Sequence, residues 1–396
     1  MTLLFGGHPG PELPDPQALL PHLDGIELRL DQFAAIDFAA IGAFIKDSPV
    51  PVMLTLRKKE QGGAFQGTEE ERLDLISTLC TLHPHYLDLE WDVPTEFRRR
   101  IFDTFSRIQI LSSYHNFEET PPDLEALYKK VKSPYAHLTK IATTARSTSD
   151  ALRMLSFVRS KEKIVGICMG EAGELTRVLA PVAGNHLTYA KLEGGLGTAS
   201  GQINSQELQE LYRFRSLNRD TAVFALIGDP VDKSRSALFH NPIFREKNVN
   251  AVYVKIPLKK EELTAFFKWT DDFPVKGLSV TMPHKESVIP FLDVQSPEVL
   301  CIGACNTIKL DGKRRGFNTD GVGALNAIEN KGSMRDKHLV VVGAGGTAKA
   351  IIYEAMQRGA QVTVLNRTHE KAIALAAQLH CRAESWDRFP EVVNEG

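Results

Sequence analysis

Short apolar segments separated by helical patterns fill the first 200 residues of the chain. Apolar runs bounded by turn residues are typical of buried strands, whereas apolar positions three and four apart are typical of amphipathic helices. On this basis the sequence predicts strands at 2–5, 25–30, 50–56, 86–90, 108–112, 138–142, 164–169 and 187–192. It predicts helices in most of the gaps, at 69–82, 95–107, 123–131 and 149–158. Eight such repeats favour an α/β fold of the (β/α)8 TIM-barrel type, although a doubly wound sheet alternates in the same way.

A different pattern begins near Thr221, after a polar stretch at 211–220 that we interpret as a linker. Apolar runs in AVFALIGDP, NAVYVKIP and GLSVTMP predict a second, open α/β sheet. The segment KHLVVVGAGGTAKAIIYEAMQRGAQVTVLNRT then has the order strand, glycine turn, helix, strand, which is the start of a Rossmann unit. The sequence therefore predicts three domains: the barrel over 1–216, an open α/β domain over 221–330 and a partial Rossmann domain over 331–396.

Composition narrows the classes of partner and the cellular compartment. A formal net charge of −2 gives no general attraction to nucleic acid or to an anionic membrane. Five scattered cysteines favour a reducing compartment over a disulfide framework, and no stretch approaches membrane-spanning length. Cys301 and Cys305 resemble half of a metal site, but no second pair or histidine cluster completes it. We therefore expect a cytoplasmic protein without a metal, acting on small molecules.

Polar residues recur on one face or at the end of several predicted barrel strands. In GIELRLD, charged side chains alternate with apolar ones, and Arg57 ends the next strand. Asp88 and Glu90 share one face of the following strand, and His115 and Lys140 fall at or near strand ends. An exposed strand with a solvated face gives the same alternation. In a barrel, however, polar groups at strand ends converge on one mouth, where active sites of this fold lie.

Lys140 is the main candidate for chemistry. A lysine in a buried strand is unfavourable unless it is paired or deprotonated, and a surface lysine with its stem along the strand is the alternative. A Schiff-base lysine needs a desolvated or cationic setting, which Arg29, Arg57 and Arg177 can supply while also binding an anionic substrate. His115 is suited to proton transfer near neutral pH.

Residues 1 to about 215 resemble type I 3-dehydroquinate dehydratase. The resemblance lies in GIELRLD, TLRKKEQGG, YLDLE, LSSYHNF, TKIAT, ICMGEAGELTR and GQI, which occur in this order. It implies that Lys140 forms an imine with the substrate ketone, that His115 is the acid/base, and that Arg177 binds the substrate carboxylate. The pocket residues it implies are Glu27, Arg29, Arg57, Met169, Arg177, Tyr189, Thr198, Ala199 and Gln202.

One position departs from that family. A glutamate usually precedes the paired glycines and supports the histidine, whereas this chain has Gln61 there, preceded by Glu60. Gln61 can hydrogen-bond His115 but cannot stabilise its cation by charge. Either Glu60 takes over this role or the pH profile shifts.

Residues 221–396 resemble shikimate dehydrogenase. The resemblance lies in IGDPVDKSRSALFHN, GLSVTMPHKE, GACNTI and GFNTDGVG. It implies that Lys285 and Asp320 form the catalytic pair. The substrate ligands that it implies are Ser234, Ser236, Thr281 and Asn306. Quinate oxidation is an alternative activity, since it differs by one ring hydroxyl.

The glycine turn predicts a cofactor site. Gly343, Gly345 and Ala348 fit G-x-G-x-x-A between a strand and a helix, where a pyrophosphate approaches the helix N-terminus. An acid usually ends the next strand in NAD sites, whereas Arg367 suits the 2′-phosphate of NADP. The cofactor-binding residues are thus predicted to be Gly343, Ala344, Gly345, Gly346, Thr347, Ala348, Asn366, Arg367 and Thr368.

Together the two resemblances imply a bifunctional shikimate-pathway enzyme, which dehydrates 3-dehydroquinate and reduces 3-dehydroshikimate with NADPH. The chain ends at Gly396, soon after the second predicted Rossmann strand, and a dinucleotide fold needs more strands. We therefore expect either that this chain is part of a longer protein or that the dehydrogenase half is impaired. A non-catalytic binding module behind an active dehydratase is the second hypothesis.

Overall fold

A computed structural model describes residues 1–16, 22–192 and 199–394. The chain divides into two compact units. The first unit comprises Met1–Ala222, Arg235–Val254 and Lys268–Pro274, and the second comprises Val223–Ser234, Lys255–Phe267 and Val275–Gly396. The division into three domains at 216/221 and 330/331 stays a prediction. Within the described residues, no helix has the length and apolarity needed to cross a membrane.

The first unit contains a parallel eight-stranded sheet. Its strands are β1 (Leu3–His8), β2 (Gly25–Arg29), β3 (Val52–Thr55), β4 (Tyr86–Glu90), β5 (Gln109–His115), β6 (Leu138–Thr144), β7 (Ile164–Met169) and β8 (Leu187–Ala190). They lie in the order β7-β6-β5-β4-β3-β2-β1-β8. The main-chain N–H of His186 donates to the carbonyl of Ile164 at 2.9 Å, which brings the two outer strands together. The sheet is thus a nearly closed barrel, and the TIM-barrel prediction is confirmed.

Helices connect these strands. They are α1 (Phe38–Asp47), α2 (Glu69–Cys80), α3 (Thr95–Thr104), α4 (Leu124–Val131), α5 (Thr148–Arg159), α6 (Leu175–Val178), α7 (Ala180–Ala183) and α8 (Ser205–Glu210). Capping boxes begin two of them: Thr68 pairs with Glu71 at the start of α2, and Ser147 pairs with Asp150 at the start of α5. These caps fix the loops that follow β3 and β6.

Side chains alternate between the barrel interior and the helix layer, as the two-residue period of a strand requires. An apolar layer fills one part of the interior. Its buried members are Phe5, Met53, Leu111, Leu138, Val165, Ile167, Leu187 and Tyr189. Lys140 lies two residues after Leu138 on β6 and therefore on the same face of the strand, and it is only 4% exposed. The lysine therefore points inward above an apolar floor.

The remaining strands form two further sheets. A six-stranded sheet has the order β10-β9-β11-β13-β14-β12. Its strands are β9 (Ala222–Gly228), β10 (Ala251–Pro257), β11 (Val275–Val280), β12 (Val294–Gln295), β13 (Thr307–Leu310) and β14 (Arg314–Phe317). The helices of this part of the chain are α9 (Ser236–Glu246), α10 (Leu263–Asp272), α11 (Pro297–Ile302) and α12 (Asp320–Glu329). The predicted open α/β sheet is thus present.

The C-terminal part of the second unit is a three-stranded parallel sheet in the order β15-β16-β17. Its elements are β15 (His338–Val342), α13 (Gly346–Gln357), β16 (Gln361–Leu365), α14 (His369–Leu379), β17 (Arg382–Glu384) and α15 (Phe389–Asn394). Both strands predicted here are present, and the structure adds a third, because β17 pairs with β16. Three residues, RAE, make up β17, and they lack the apolar run by which the sequence identifies a buried strand.

Candidate functional site

Lys140 lies at the centre of a charged cluster inside the barrel. Its Nζ donates to Asp88 Oδ2 at 2.9 Å and to the Tyr189 hydroxyl at 3.0 Å. The Glu27 carboxylate is 3.8 Å away, and Glu27 also accepts a hydrogen bond from Thr55 at 2.6 Å. These contacts come from strands β2, β3, β4 and β8, so closure of the sheet is what assembles them. The alternative of a surface lysine is therefore wrong.

Arg57 shares the carboxylate of Asp88 with Lys140. Its Nη2 lies 2.8 Å from the same Oδ2 atom, and Nη1 donates to Ser113 Oγ at 2.8 Å. Burial alone raises the pKa of Asp88, but the charges of Arg57, Lys140 and His115 outweigh it and hold that pKa well below its usual value. For Arg57 the effects have the opposite sign: burial lowers the pKa of the guanidinium, and the neighbouring carboxylates raise it by more, so that the net change is an increase. The cluster therefore keeps Asp88 ionised and Arg57 cationic.

His115 ends β5 beside the same cluster. Burial, with further contributions from Arg57 and Lys140, holds the pKa of its imidazole well below the usual value, so the ring is neutral near pH 7. Its Nδ1 is buried and has no hydrogen-bond partner among the described residues. The ring stacks on Phe117 with centroids 6.2 Å apart. His115 is thus a neutral base whose Nδ1 has no hydrogen bond to a carboxylate of the described residues.

Gln61, at the position where the family has glutamate, contacts the backbone of His115 instead of its ring. Its Oε1 accepts the main-chain N–H of His115 at 3.0 Å. Glu60 is exposed and does not line the pocket, whereas Gln61 does. Of the two alternatives raised by the sequence, replacement by Glu60 has no support in this geometry.

Arg177, on α6, is a buried cation with no carboxylate at ion-pair distance among the described residues. Its Nη1 donates to the carbonyl of Cys168 at 2.7 Å, and Nε has no partner in the described part of the chain. Burial lowers the pKa of Arg177 to about 10. An unpaired buried guanidinium with a free N–H is suited to bind an anion from the pocket.

Ten of the eleven site residues predicted for the barrel line one pocket, together with Gln61 and Phe117. They are Glu27, Arg29, Arg57, His115, Lys140, Met169, Arg177, Tyr189, Ala199 and Gln202. The eleventh, Thr198, lies outside the described residues. Arg29 is held at the pocket wall by Asp31, at 2.9 and 3.0 Å. The roles of these residues stay predictions, but the structure brings their side chains together.

Asp88 is the residue that the sequence-based set of site residues missed. It is 1% exposed and is the nearest carboxylate of both Lys140 and Arg57, and Ser113 Oγ also donates to it, at 2.5 Å. The signal was present in the segment YLDLE, where two acidic residues share one face of an otherwise apolar strand. Two buried carboxylates on one strand require cationic partners, but the sequence does not specify which cations these are.

A second cluster lies in the second unit. Lys285, in the loop after β11, forms an ion pair with Asp320 at the start of α12. Asn306 Nδ2 donates to the other Asp320 oxygen at 2.7 Å, and Lys285 Nζ also donates to Thr347 Oγ1 at 3.0 Å. The main-chain N–H of Cys305 donates to the Lys285 carbonyl at 2.7 Å and so fixes the loop. The predicted catalytic pair is thus formed, with Asn306 beside it.

The other predicted substrate ligands of this half occupy loops and a helix start. The N–H of Thr281 donates to the carbonyl of Ile227 at 2.9 Å, and the N–H of Ser234 donates to that of Val231 at 3.1 Å. Ser236 is the first residue of α9. Their arrangement around a substrate stays a prediction. In the described part of the chain no three His, Cys, Asp or Glu side chains are placed to hold a metal ion.

The predicted cofactor residues form a strand–turn–helix. Gly343 follows β15 with φ of +115°, a conformation that L side chains rarely adopt, and its N–H donates to the Leu365 carbonyl at 2.7 Å. Ala344 and Gly345 complete the turn, and Gly346, Thr347 and Ala348 begin the 12-residue helix α13. A Cβ at Gly343 or Gly345 would meet no atom within 4 Å, so the space beside the turn is open to a ligand.

The loop after β16 carries the other three predicted residues. Asn366 Nδ2 donates to the Thr368 carbonyl at 2.8 Å, which tightens the loop. Arg367 between them is exposed and forms no ion pair with another described residue. Its guanidinium is thus available next to the glycine turn, because β15 and β16 are parallel neighbours.

Comparisons with known proteins cover nearly the whole chain. The profile of type I 3-dehydroquinase matches residues 16–219. The profile of the shikimate dehydrogenase substrate binding domain matches residues 226–308, and that of shikimate / quinate 5-dehydrogenase matches residues 326–395. Three domains of known families thus follow one another along the chain.

Three curated relatives are similar to the whole chain or to a large part of it. A bifunctional 3-dehydroquinate dehydratase/shikimate dehydrogenase, chloroplastic, from Arabidopsis thaliana is 35% identical over 91% of this chain and 63% of its own length. The shikimate biosynthesis protein AroDE of Chlamydia trachomatis is 34% identical over 82% of this chain and 67% of its own. A shikimate dehydrogenase (NADP(+)) of Aquifex aeolicus is 40% identical over 45% of this chain and 64% of its own. The chain thus spans less than two thirds of the Arabidopsis relative.

Proposed function

Because this chain belongs to the type I 3-dehydroquinase family and continues into shikimate dehydrogenase domains, we propose that it catalyses two successive steps. The barrel dehydrates 3-dehydroquinate to 3-dehydroshikimate, and the second unit reduces that product to shikimate. The observation that carries the first activity is the convergence of Lys140, His115 and Arg177 on one pocket. The second activity rests on the pairing of Lys285 with Asp320 next to the glycine turn.

The dehydration begins with imine formation at Lys140. The neutral amine attacks the substrate carbonyl carbon, a proton passes to the oxygen, and loss of water leaves a protonated imine on Nζ. Neutral His115 is available to accept the proton that Lys140 gives up. Asp88, which stays ionised, together with the Tyr189 hydroxyl holds Nζ in place before the attack.

The second part is the elimination. His115 removes a proton from the carbon beside the imine carbon, and the electron pair of that C–H bond moves to the imine nitrogen. The hydroxyl one carbon further leaves as water with the proton from His115. Water then hydrolyses the imine, which releases 3-dehydroshikimate and restores Lys140. Arg177 holds the substrate carboxylate throughout, since its Nε has no hydrogen-bond partner to give up among the described residues.

The reduction uses Lys285 as the proton donor. Its Nζ, held by Asp320, protonates the carbonyl oxygen of 3-dehydroshikimate, and Asp320 keeps the ammonium next to that oxygen. Asn306 fixes the second Asp320 oxygen. NADPH, when bound, supplies the hydride.

NADP is the cofactor that these residues fit best. The open glycine turn at the start of α13 accommodates a pyrophosphate, and exposed Arg367 is free to bind a 2′-phosphate. The name of the Aquifex aeolicus relative specifies NADP(+). The five cysteines are free thiols, as in a reducing compartment, and on this ground we propose the cytoplasm as the location.

The test follows both products from one sample. Incubation with 3-dehydroquinate should give 3-dehydroshikimate, and addition of NADPH should then give shikimate with matching loss of absorbance at the NADPH band. Borohydride added with 3-dehydroquinate should attach the reduced substrate to Lys140, as located by peptide mass spectrometry.

Lys129→Met is the matched control, because Lys129 is an exposed lysine of α4. That variant should be labelled as strongly as the wild type, whereas Lys140→Met should not be labelled. Equal labelling of both variants would reject the Schiff base. NADPH binding without turnover would support a non-catalytic C-terminal module, and oxidation of quinate in preference to shikimate would support the quinate activity.

A further inference from the structure

A row of alternating buried charges leads from the pocket to the helix layer of the barrel. Beyond Lys140 and Asp88, Arg57 Nη1 lies 3.5 Å from Glu90 Oε1. Glu90 Oε2 accepts a hydrogen bond from Arg72 Nη1 at 2.8 Å. The charged row is therefore Lys140, Asp88, Arg57, Glu90 and Arg72, and each of its members is at most 4% exposed.

Arg72 is buried, and hydrogen bonds hold its guanidinium on several sides. It lies on α2, is 0% exposed, and uses three nitrogens. Besides Glu90, it donates to the Leu56 carbonyl at 2.9 Å and forms two bonds to Glu69, at 2.7 and 2.8 Å. The contact with Leu56 fixes the residue immediately before Arg57. Arg72 thus restrains Arg57 in two ways, through the chain and through Glu90.

We infer that Arg72 is a positioning residue for the Lys140 site, acting through Glu90 on Arg57. This inference rests on the dehydratase activity proposed above. Without Arg72, Glu90 keeps Arg57 as its one charged partner. It then draws Arg57 away from Asp88, because a buried carboxylate that has lost a cationic partner is strongly unfavourable. Asp88 then keeps Lys140 and the Ser113 hydroxyl as partners but loses the guanidinium of Arg57. Lys140 is otherwise faced by Glu27 from β2 and Tyr189 from β8, so the relation of its amine to the substrate carbonyl changes.

Arg98 provides a matched control for this inference. It is a second buried arginine, 2% exposed, on the next helix, α3, and it also contacts Glu90. It donates to the main-chain carbonyl of Glu90 at 2.7 Å and not to the carboxylate. Arg98→Met therefore removes the same charge from an equally buried position without removing an ion-pair partner of the carboxylates in the charged row.

The experiment is a double-mutant cycle on the full chain with 3-dehydroquinate as substrate. We expect Arg72→Met to lower kcat at pH 7 roughly tenfold and to shift the pH–rate profile, and Arg72→Lys to recover part of the loss. Combining Arg72→Met with Glu90→Gln should add less than twofold to the loss from Glu90→Gln alone, because both act through one contact. Arg98→Met should combine with Glu90→Gln multiplicatively and leave the pH profile unchanged.

The outcomes separate this inference from the proposed function. If the wild type does not dehydrate 3-dehydroquinate, the proposed function fails first. If the wild type is active but Arg72→Lys and Arg98→Met have equal, pH-independent effects, Arg72 is merely structural and the inference is overturned. Should Arg72→Met not fold, the pH profile of Arg72→Lys and its cycle with Glu90→Gln decide.

Discussion

The lysine–aspartate pairs at the centres of the two candidate sites differ in how they are enclosed. The side chains of Lys140 and Asp88 are 5% and 0% exposed, whereas those of Lys285 and Asp320 are 17% and 23% exposed. The first pair shares its carboxylate with Arg57 and lies inside a nearly closed sheet. The second is formed by a loop residue and the first residue of a helix, and solvent reaches both partners.

This difference indicates two ways of preparing an active site. In the barrel, burial makes the charges of Lys140, Asp88 and Arg57 depend on one another, so this part of the site is arranged before the substrate arrives. In the second unit the pair is weakly held, since water competes for both charges. A substrate and a nucleotide are expected to complete that site. The predictions below test this contrast, beginning with the largest expected effect.

Loss of each lysine should abolish one activity and spare the other. Lys140→Ala should lower dehydratase kcat by about 10⁴-fold or more, because Lys140 is the one lysine among the described residues that line the pocket. Lys285→Ala should lower shikimate formation by about 10²–10⁴-fold, as expected for loss of an acid/base group. Each activity is measured with its own substrate. A Lys140→Ala enzyme that retained more than a hundredth of its dehydratase rate would contradict the covalent route.

The aspartates should differ in their effect on stability. Asp88→Asn leaves two buried cations short of a carboxylate and should lower the free energy of unfolding by about 3 kcal/mol. Asp320→Asn should lower it by less than about 1 kcal/mol. Calorimetry at pH 7 measures both. The pKa of Asp88 is depressed in the folded state, whereas in the unfolded chain it is about 4. The contribution of Asp88 to the free energy of unfolding is therefore fully present above about pH 4 and is lost as the pH falls below that value.

That pH dependence provides the control for the previous comparison. The stability difference between wild type and Asp88→Asn should shrink as pH falls below about 4, whereas a packing defect would persist at every pH. Equal losses for Asp88→Asn and Asp320→Asn would contradict the contrast between the two pairs.

Cofactor preference should depend on Arg367. Arg367→Glu places a negative charge where the 2′-phosphate of NADP is expected and should raise the KM for NADPH by about tenfold or more, with a smaller effect on NADH. Kinetics with both nucleotides measure the ratio. Lys371→Glu is the control, since it makes the same charge change on α14. If it alters the ratio equally, Arg367 has no specific role.

Much of the barrel followed from local patterns. The strands at 86–90 and 164–169 were predicted with the bounds that the structure has, Tyr86–Glu90 and Ile164–Met169. Period-two apolar runs define such strands independently of their neighbours. The pocket residues were predictable in the same way, because parallel strands carry inward-facing residues to one end of a barrel.

Which buried charged residues pair with one another was not predictable from these patterns. That Asp88 joins Lys140 to Arg57 depends on the register between strands, and that Arg72 contacts Glu90 depends on how α2 packs against the barrel. No local signal specifies either pairing. The short strand β17 was missed for a similar reason, since pairing with β16, and not its own sequence, makes it a strand.

The smallest effect concerns Gln61. Gln61→Glu places a carboxylate where the amide now accepts the His115 main-chain N–H, and a nearby negative charge favours the imidazolium. The pKa of His115 should rise, so the base form is lost at higher pH and the acid limb of kcat/KM should move up by less than about one pH unit. The pH dependence of 3-dehydroquinate dehydration measures this. Glu60→Gln, which changes an exposed residue outside the pocket, should leave the limb unchanged. If Glu60→Gln shifts the acid limb and Gln61→Glu does not, the pKa of His115 is controlled by Glu60 and not by the residue at position 61.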